Sequence, residues 1–182
     1  MTTIGHRFKD HEISPKTEIL IIGTFNPETV KNIADFFYGR LRNYLWTLIP
    51  TAFGDTSLKG KSKEDKLKFI DHYKIDFIDL ISSVNVDEVS NYYDSYLDNK
   101  VSEWKEVIDE IRSLPNIKRV CFTRKSFADI PNIKMRIDEI KEYCNESKID
   151  FQILTTPARF YSATKQEEWN IFFNNTKYFK KW

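Results

Sequence analysis

ILIIGTFNPETV, residues 19–30, decides how the chain is read. Four consecutive aliphatic residues run into Gly23, Asn26-Pro27 follows, and a polar segment of helical character begins. An unbroken apolar run of this length, bounded by a turn signal, is a short strand buried on both faces. A strand that ends in a glycine turn and hands over to a helix is where α/β proteins hold ligands. Asn26 then has two readings. It can cap the helix, with Pro27 at the first helical position, or it can act on whatever sits at the strand end.

Outward from this stretch the pattern alternates. Residues 27–37 (PETVKNIADFF) and 40–49 (RLRNYLWTLI) read as helices, the second stopped by Pro50. Residues 63–73 (KEDKLKFIDHY) form an amphipathic helix and 75–82 (IDFIDLIS) a second strand. Residues 99–114 carry Val101, Trp104, Val107, Ile108 and Ile111 at helical spacing. IKRVCFT (117–123) reads as a third strand. Residues 132–147 read as a helix with Ile133, Ile137, Ile140 and Cys144 on one face. IDFQILT (149–155) is a fourth strand. The final helix, 164–175, has Thr164 as its expected N-cap and Glu167 to close a capping box. Strands alternating with helices require crossover connections. The expected fold is α/β: a three-layer sandwich with a central, mostly parallel four-stranded sheet and helices on both faces, one domain over residues 1–182. Ligands in such sheets bind at the C-terminal strand ends, so GTFNPE, DLISSVN, FTRKS and TTPARFYS should face the site. The non-periodic residues 82–98 are too long for a plain connector and are expected to cross the site.

Composition narrows the function classes. With 182 residues, 41% of them hydrophobic, the chain can bury a full core. A mean hydropathy of −0.52 and the lack of a long apolar run exclude a membrane-spanning helix, and residues 1–16 lack a signal-peptide core. Cys121 and Cys144 have no C-x-x-C spacing, which points to reduced thiols and a cytoplasmic location. No metal or other cofactor is expected. His6, His11 and His72 fit no triad or ligand spacing and read as surface residues. Net charge is +1, but 40–42 (RLR), 59–68 (KGKSKEDKLK), 123–125 (TRK) and the terminal KYFKKW are local basic clusters. Each is an ordinary solvated face unless several meet around one cleft.

IIGTFNP, then FFYGRLRNYLW, and later ILTTPAR, resemble the motifs of the uracil-DNA glycosylase superfamily, nearest its mismatch-specific uracil/thymine-DNA glycosylase and hypoxanthine-DNA glycosylase branches. The resemblance spans about residues 17–173. It differs from the usual pattern in three places: an extra residue between Gly23 and Pro27, Leu45 where relatives have Phe, and Arg159 where they often carry a small polar residue. The resemblance implies a monofunctional glycosylase with double- or single-stranded DNA as partner; a monomer with no membrane association is expected. It implies that Asn26, before the motif proline, positions a water, or that Asn43 is the catalytic amide. It implies that Tyr38, five residues before Asn43, stacks on a flipped base, and that the segment after the last strand, with Thr156, Pro157 and Arg159, enters the DNA.

Such an enzyme must extract the base, hold it, place water under C1′ and stabilise a departing base anion. An amide can orient water by accepting its hydrogen bond but is no strong base. Gly23, Thr24, Phe25, Tyr38 and Asp79 are therefore the expected base-binding residues. Arg40, Arg42, Arg124, Thr156, Pro157 and Arg159 are the expected DNA contacts. Plain alternatives stand beside these: Tyr38 as core, Asn43 as an exposed helix residue, and Asp79 as a buried carboxylate bound to backbone amides. A module on the same scaffold that binds nucleic acid or nucleotide without cleaving it is the alternative function.

Overall fold

The computed structural model describes residues 1–88 and 90–174. The terminal KYFKKW cluster lies outside the described residues. Two sheets form among the described residues. Strands β1 (Thr2–Gly5), β4 (Ile81–Val86) and β5 (Val101–Trp104) make an antiparallel sheet in the order β1-β4-β5. Strands β2 (Ile19–Gly23), β3 (Ile75–Asp79), β6 (Arg119–Phe122) and β7 (Asp150–Ile153) make a wholly parallel sheet in the order β3-β2-β6-β7. The helices are α1 (Leu45–Ala52), α2 (Lys63–Tyr73), α3 (Asp94–Leu97), α4 (Val107–Ser113), α5 (Pro131–Glu146) and α6 (Ala163–Asn174).

The parallel sheet is the middle layer, as expected. Period-two alternation sends Leu20, Ile22, Ile78, Val120 and Phe122 into a core shared with α4, α5 and the antiparallel sheet. Ile21, Phe77 and Cys121 point the other way, into a core of Leu45, Trp46, Leu48, Phe69, Trp169 and Phe172 from α1, α2 and α6. Strand β2 is central. The chain leaves it for β3 on one side, and the later β6 lies on the other, so the C-terminal end of β2 is a topological switch point.

The antiparallel sheet was not foreseen. The apolar run 75–82 is two strands, because at Leu80 it changes partners. Leu80 N–H donates to Gly23 O (3.0 Å) and Ile81 N–H to Thr24 O (3.1 Å). Beyond that, β2 has turned away, and the chain pairs with β1 and β5 instead. Much of the expected connector 82–98 is therefore strand β4 and the short α3. Residues 101–104, expected as the first turn of a long helix, are strand β5, held by antiparallel pairing to β4.

Residues 27–37 are not a helix. Val30 and Ile33 are fully or almost fully exposed, so no apolar stripe exists to dock one. Asn32 organises the segment instead, donating to Pro27 O (2.8 Å) and accepting from Ala34 N–H (3.3 Å). The helix expected over 40–49 begins only at Leu45 and continues through Pro50 to Ala52. Proline removes the N–H that would bond Trp46 O; Leu58 N–H (2.7 Å) and the Ser57 hydroxyl (3.3 Å) take that carbonyl. The last helix is capped by Ser162, whose Oγ accepts from Lys165 N–H (3.2 Å), and Thr164 sits exposed inside it. No helix among the described residues is long and apolar enough to cross a membrane.

Candidate functional site

The loops after β2, β3, β6 and β7 meet at one end of the parallel sheet. Gly23 closes β2 directly beside Asp79, the last residue of β3. A methyl group on Gly23 would lie 2.2 Å from Asp79 Oδ1 and 2.9 Å from the Tyr38 hydroxyl, so only glycine fits. Asp79 is 2% exposed and accepts two side-chain hydrogen bonds on Oδ2: from Asn26 Nδ2 at 2.7 Å, and from His6 Nε2 at 2.8 Å. The network assigns the protons. Phe8 N–H donates to His6 Nδ1 (3.1 Å), so that nitrogen is the acceptor and Nε2 carries the hydrogen. A carboxylate oxygen accepts, so Asn26 must turn Nδ2 toward it. Asn26 Oδ1 is left as an acceptor with no partner among the described residues.

With no helix at 27–37, Asn26 is not a helix cap. Its backbone carbonyl accepts from Arg7 N–H (2.8 Å), Pro27 bridges His6, and Glu28 N–H donates to Gly5 O (2.9 Å). The same pairing carries His6 to the site. His6 is 2% exposed, and its ring lies against Phe8, Phe25 and Phe37. His11, also expected at the surface, is largely buried and bonds Asp76 through Nε2 (2.6 Å). Phe25, expected to bind a base, packs its ring against His6 and the core.

Tyr38 holds a left-handed φ of 55°, a costly conformation for a bulky residue. Its ring packs on Phe77, and its hydroxyl bonds the Thr123 hydroxyl at 3.1 Å. Burial, with the charge of Asp79 adding to it, pushes the phenol well above its usual pKa, so it remains protonated. Asp94 at the start of α3 joins the site from the connector 82–98. Burial raises its carboxyl, Arg124 and the Thr24 hydroxyl act against the rise, and nearby Asp79 adds to it. Arg40 is exposed, yet Asp79, Tyr92 and Asp94 lie within electrostatic range of its guanidinium.

Gly23, Thr24, Asn26, Tyr38, Arg40 and Asp79 thus converge. Arg124 does not stand free: it is committed to Asp94 (2.7 Å), Asp129 (2.5 Å) and Ser126 O (2.7 Å). Asn43 belongs to a neighbouring construction. Its Oδ1 accepts from Leu45 N–H (3.0 Å) at the start of α1, and it bridges Ala158 across the loop after β7. Tyr44 N–H donates to Pro157 O (2.9 Å) and Arg159 N–H to Arg42 O (2.8 Å), so Arg42, Pro157 and Arg159 share this second cluster. Thr156 Oγ1 accepts from Ala158 N–H at 3.3 Å within the same loop. Asn26 and Arg159 therefore lie at the same end of the sheet.

His6, Asp94 and Thr123 were missed in the sequence. The one available signal for His6 was indirect: a buried Asp79 demands a donor. A cavity of about 250 Å³ lies at the opposite end, around Lys16, Leu67, Ile70, Lys74 and Asp76. It faces the strand starts, away from the switch point and from the cluster described above.

No family model matches the chain, and no curated protein matches it. Among solved structures, the solution NMR structure of a provisionally assigned uracil DNA glycosylase from Methanosarcina acetivorans superposes with a TM-score of 0.63 at 21% identity. The match covers 90% of this chain and 92% of that one. The two proteins share a fold.

Proposed function

We propose that this chain is a DNA glycosylase that hydrolyses the N-glycosidic bond of a flipped deaminated or modified base, of the uracil or hypoxanthine class, and leaves an abasic site. One observation carries the reading. The Asn26 amide is locked by Asp79 at the C-terminal end of the central strand, with its oxygen left open. A fixed acceptor of that kind orients water without needing to deprotonate it. The shared fold with a provisionally assigned uracil DNA glycosylase supports the same reading.

Each group then has a task. Asn26 Oδ1 accepts a hydrogen bond from the attacking water and directs its lone pair toward C1′. Asp79, steadied by His6, keeps the amide from flipping. Tyr38 stays a neutral phenol and offers its ring to the extruded base. Arg40, at the mouth, supplies positive charge as the base leaves as an anion. Because an amide activates water weakly, turnover depends on the leaving group, which favours bases that stabilise an anion. Arg42 and Arg159 meet phosphates in this reading.

The test is a panel of labelled oligonucleotides containing uracil, hypoxanthine, xanthine or modified cytosines, incubated with the protein and treated with alkali. Strand breaks at one or more of these bases support the proposal. Tight binding with no breaks in any format would leave a nucleic-acid-binding module in its place.

A further inference from the structure

The resemblance gives DNA entry to the segment after β7 and no task to the turn before α1. That turn, residues 40–43, is closed by Asn43 N–H donating to Arg40 O (2.9 Å). Its two central residues are Leu41 and Arg42. Leu41 is 86% exposed, a large apolar side chain between two arginines.

The tip is rigidly mounted. Tyr44 N–H to Pro157 O, Arg159 N–H to Arg42 O, and the antiparallel Asn43–Ala158 bridge tie it to the loop after β7. Leu41 and Phe160 adjoin the Arg42–Arg159 pair in sequence, one just before Arg42 and the other just after Arg159, where both segments turn. Phe160 is 61% exposed, with the Lys165 ammonium 4.5 Å from the centre of its ring. Its loop is held from beneath by the buried Lys165, whose ammonium donates to Ala158 O (3.2 Å) and Phe160 O (2.7 Å). Arg159, at φ 77°, is where that loop departs from the extended path.

Cations adjoin the two apolar residues along the chain: Leu41 lies between Arg40 and Arg42, and Phe160 follows Arg159. These three arginines have no carboxylate partner within ion-pair distance among the described residues. Apolar tips flanked by positive charge match a ligand with anions outside and flat apolar surfaces within. Duplex DNA has that construction, and side chains such as Leu and Phe enter it by parting a base step.

We propose that Leu41 enters duplex DNA beside the extruded nucleotide, as a second prong on its own turn next to Phe160. The inference rests on the glycosylase reading for its substrate. It differs from it in assigning a DNA-entering residue to the turn 40–43.

The test uses the full chain, Leu41→Ala and Phe160→Ala, with one target base presented in single-stranded and duplex oligonucleotides. A second duplex carries 2-aminopurine beside the target, whose emission rises on unstacking and reports DNA entry without cleavage. Melting temperatures check that these exposed positions leave the fold intact. Leu41→Ala should slow duplex cleavage by roughly tenfold more than single-strand cleavage, because only the duplex has a base step for an apolar wedge to part. It should also lose the emission rise that wild type produces. Equal slowing in both formats, or an unchanged emission rise, would overturn the proposal. If wild type cleaves neither format, the glycosylase reading fails and emission alone decides. A rise lost in Leu41→Ala sustains DNA entry, and no rise in wild type refutes it.

Discussion

Asn26→Asp is the substitution that interrogates the site most sharply, because it changes one donor to an acceptor without changing shape. The new carboxyl oxygen would replace Nδ2 at 2.7 Å from Asp79 Oδ2. Two unit charges at that distance repel by about 6 kcal/mol at an effective dielectric of about 20. Keeping one ordinary Asp carboxyl protonated at pH 7 costs about 4 kcal/mol. Repulsion wins, so the folded variant holds one proton between the two carboxyls at neutral pH, which the unfolded chain does not. The pair's apparent pKa is raised on folding. Its contribution is therefore fully present below the unfolded value, near 4, and is lost as pH rises toward the folded one. The slope is about 1.4 kcal/mol per pH unit. Between pH 5 and pH 7 the variant should lose about 3 kcal/mol relative to wild type. For a chain of this size that is a fall of roughly 6–12 °C in Tm. Thermal unfolding of both proteins across this range measures it. A Tm difference that stays constant from pH 5 to pH 7 would show that the amide does not sit on Asp79, and the water-orienting scheme would lose its anchor.

Three further outcomes follow from the same structure. Gly23→Ala forces a methyl group against Asp79 Oδ1 and the Tyr38 hydroxyl; it should destabilise by about 1–3 kcal/mol and abolish turnover, and a variant that melts and cleaves like wild type would contradict the packing described. Burial raises the Glu18 carboxyl, but its hydrogen bonds and charge interactions with Lys118 and Lys74 outweigh that and lower its pKa below the usual 4.5. Its stabilisation is present above that value and lost as pH falls through the lowered one, so Glu18→Gln should flatten the acid limb of a Tm-against-pH curve; an unchanged limb would show that the clamp contributes nothing. Burial pushes the Cys144 thiol up to about 12 and Cys121 well above its usual value. Iodoacetamide at pH 8 should therefore label neither cysteine until denaturant is added, and rapid labelling of the native protein would mean the two cores open readily.

What the sequence disclosed depended on how local each signal was. Strand β2 and helix α5 follow from runs and spacings within a few residues, and the parallel sheet follows from their alternation. Asp79 was legible as a buried carboxylate in an apolar strand that would need a partner. His6 was not, because its partner lies 73 positions away and no local pattern marks it. The second sheet was hidden because β3 and β4 form one apolar run, and only tertiary pairing changes at Leu80. Asn26-Pro27-Glu28 carries the signature of a helix start, yet Val30 and Ile33 give such a helix no face to bury. The cap reading failed there for want of packing, a cost that a capping signature alone cannot offset.

Single-turnover cleavage of a uracil- or hypoxanthine-containing oligonucleotide by wild type and Asn26→Ala, both saturating the DNA and both checked for folding, tests the central claim most directly. The account predicts abasic sites with wild type, and with Asn26→Ala undiminished DNA binding but a rate at least 100-fold lower, on the order of the loss when a placed hydrogen-bonding group is removed from an active site. Cleavage by Asn26→Ala at the wild-type rate would contradict it and move the catalytic role to Asn43 or Asp79.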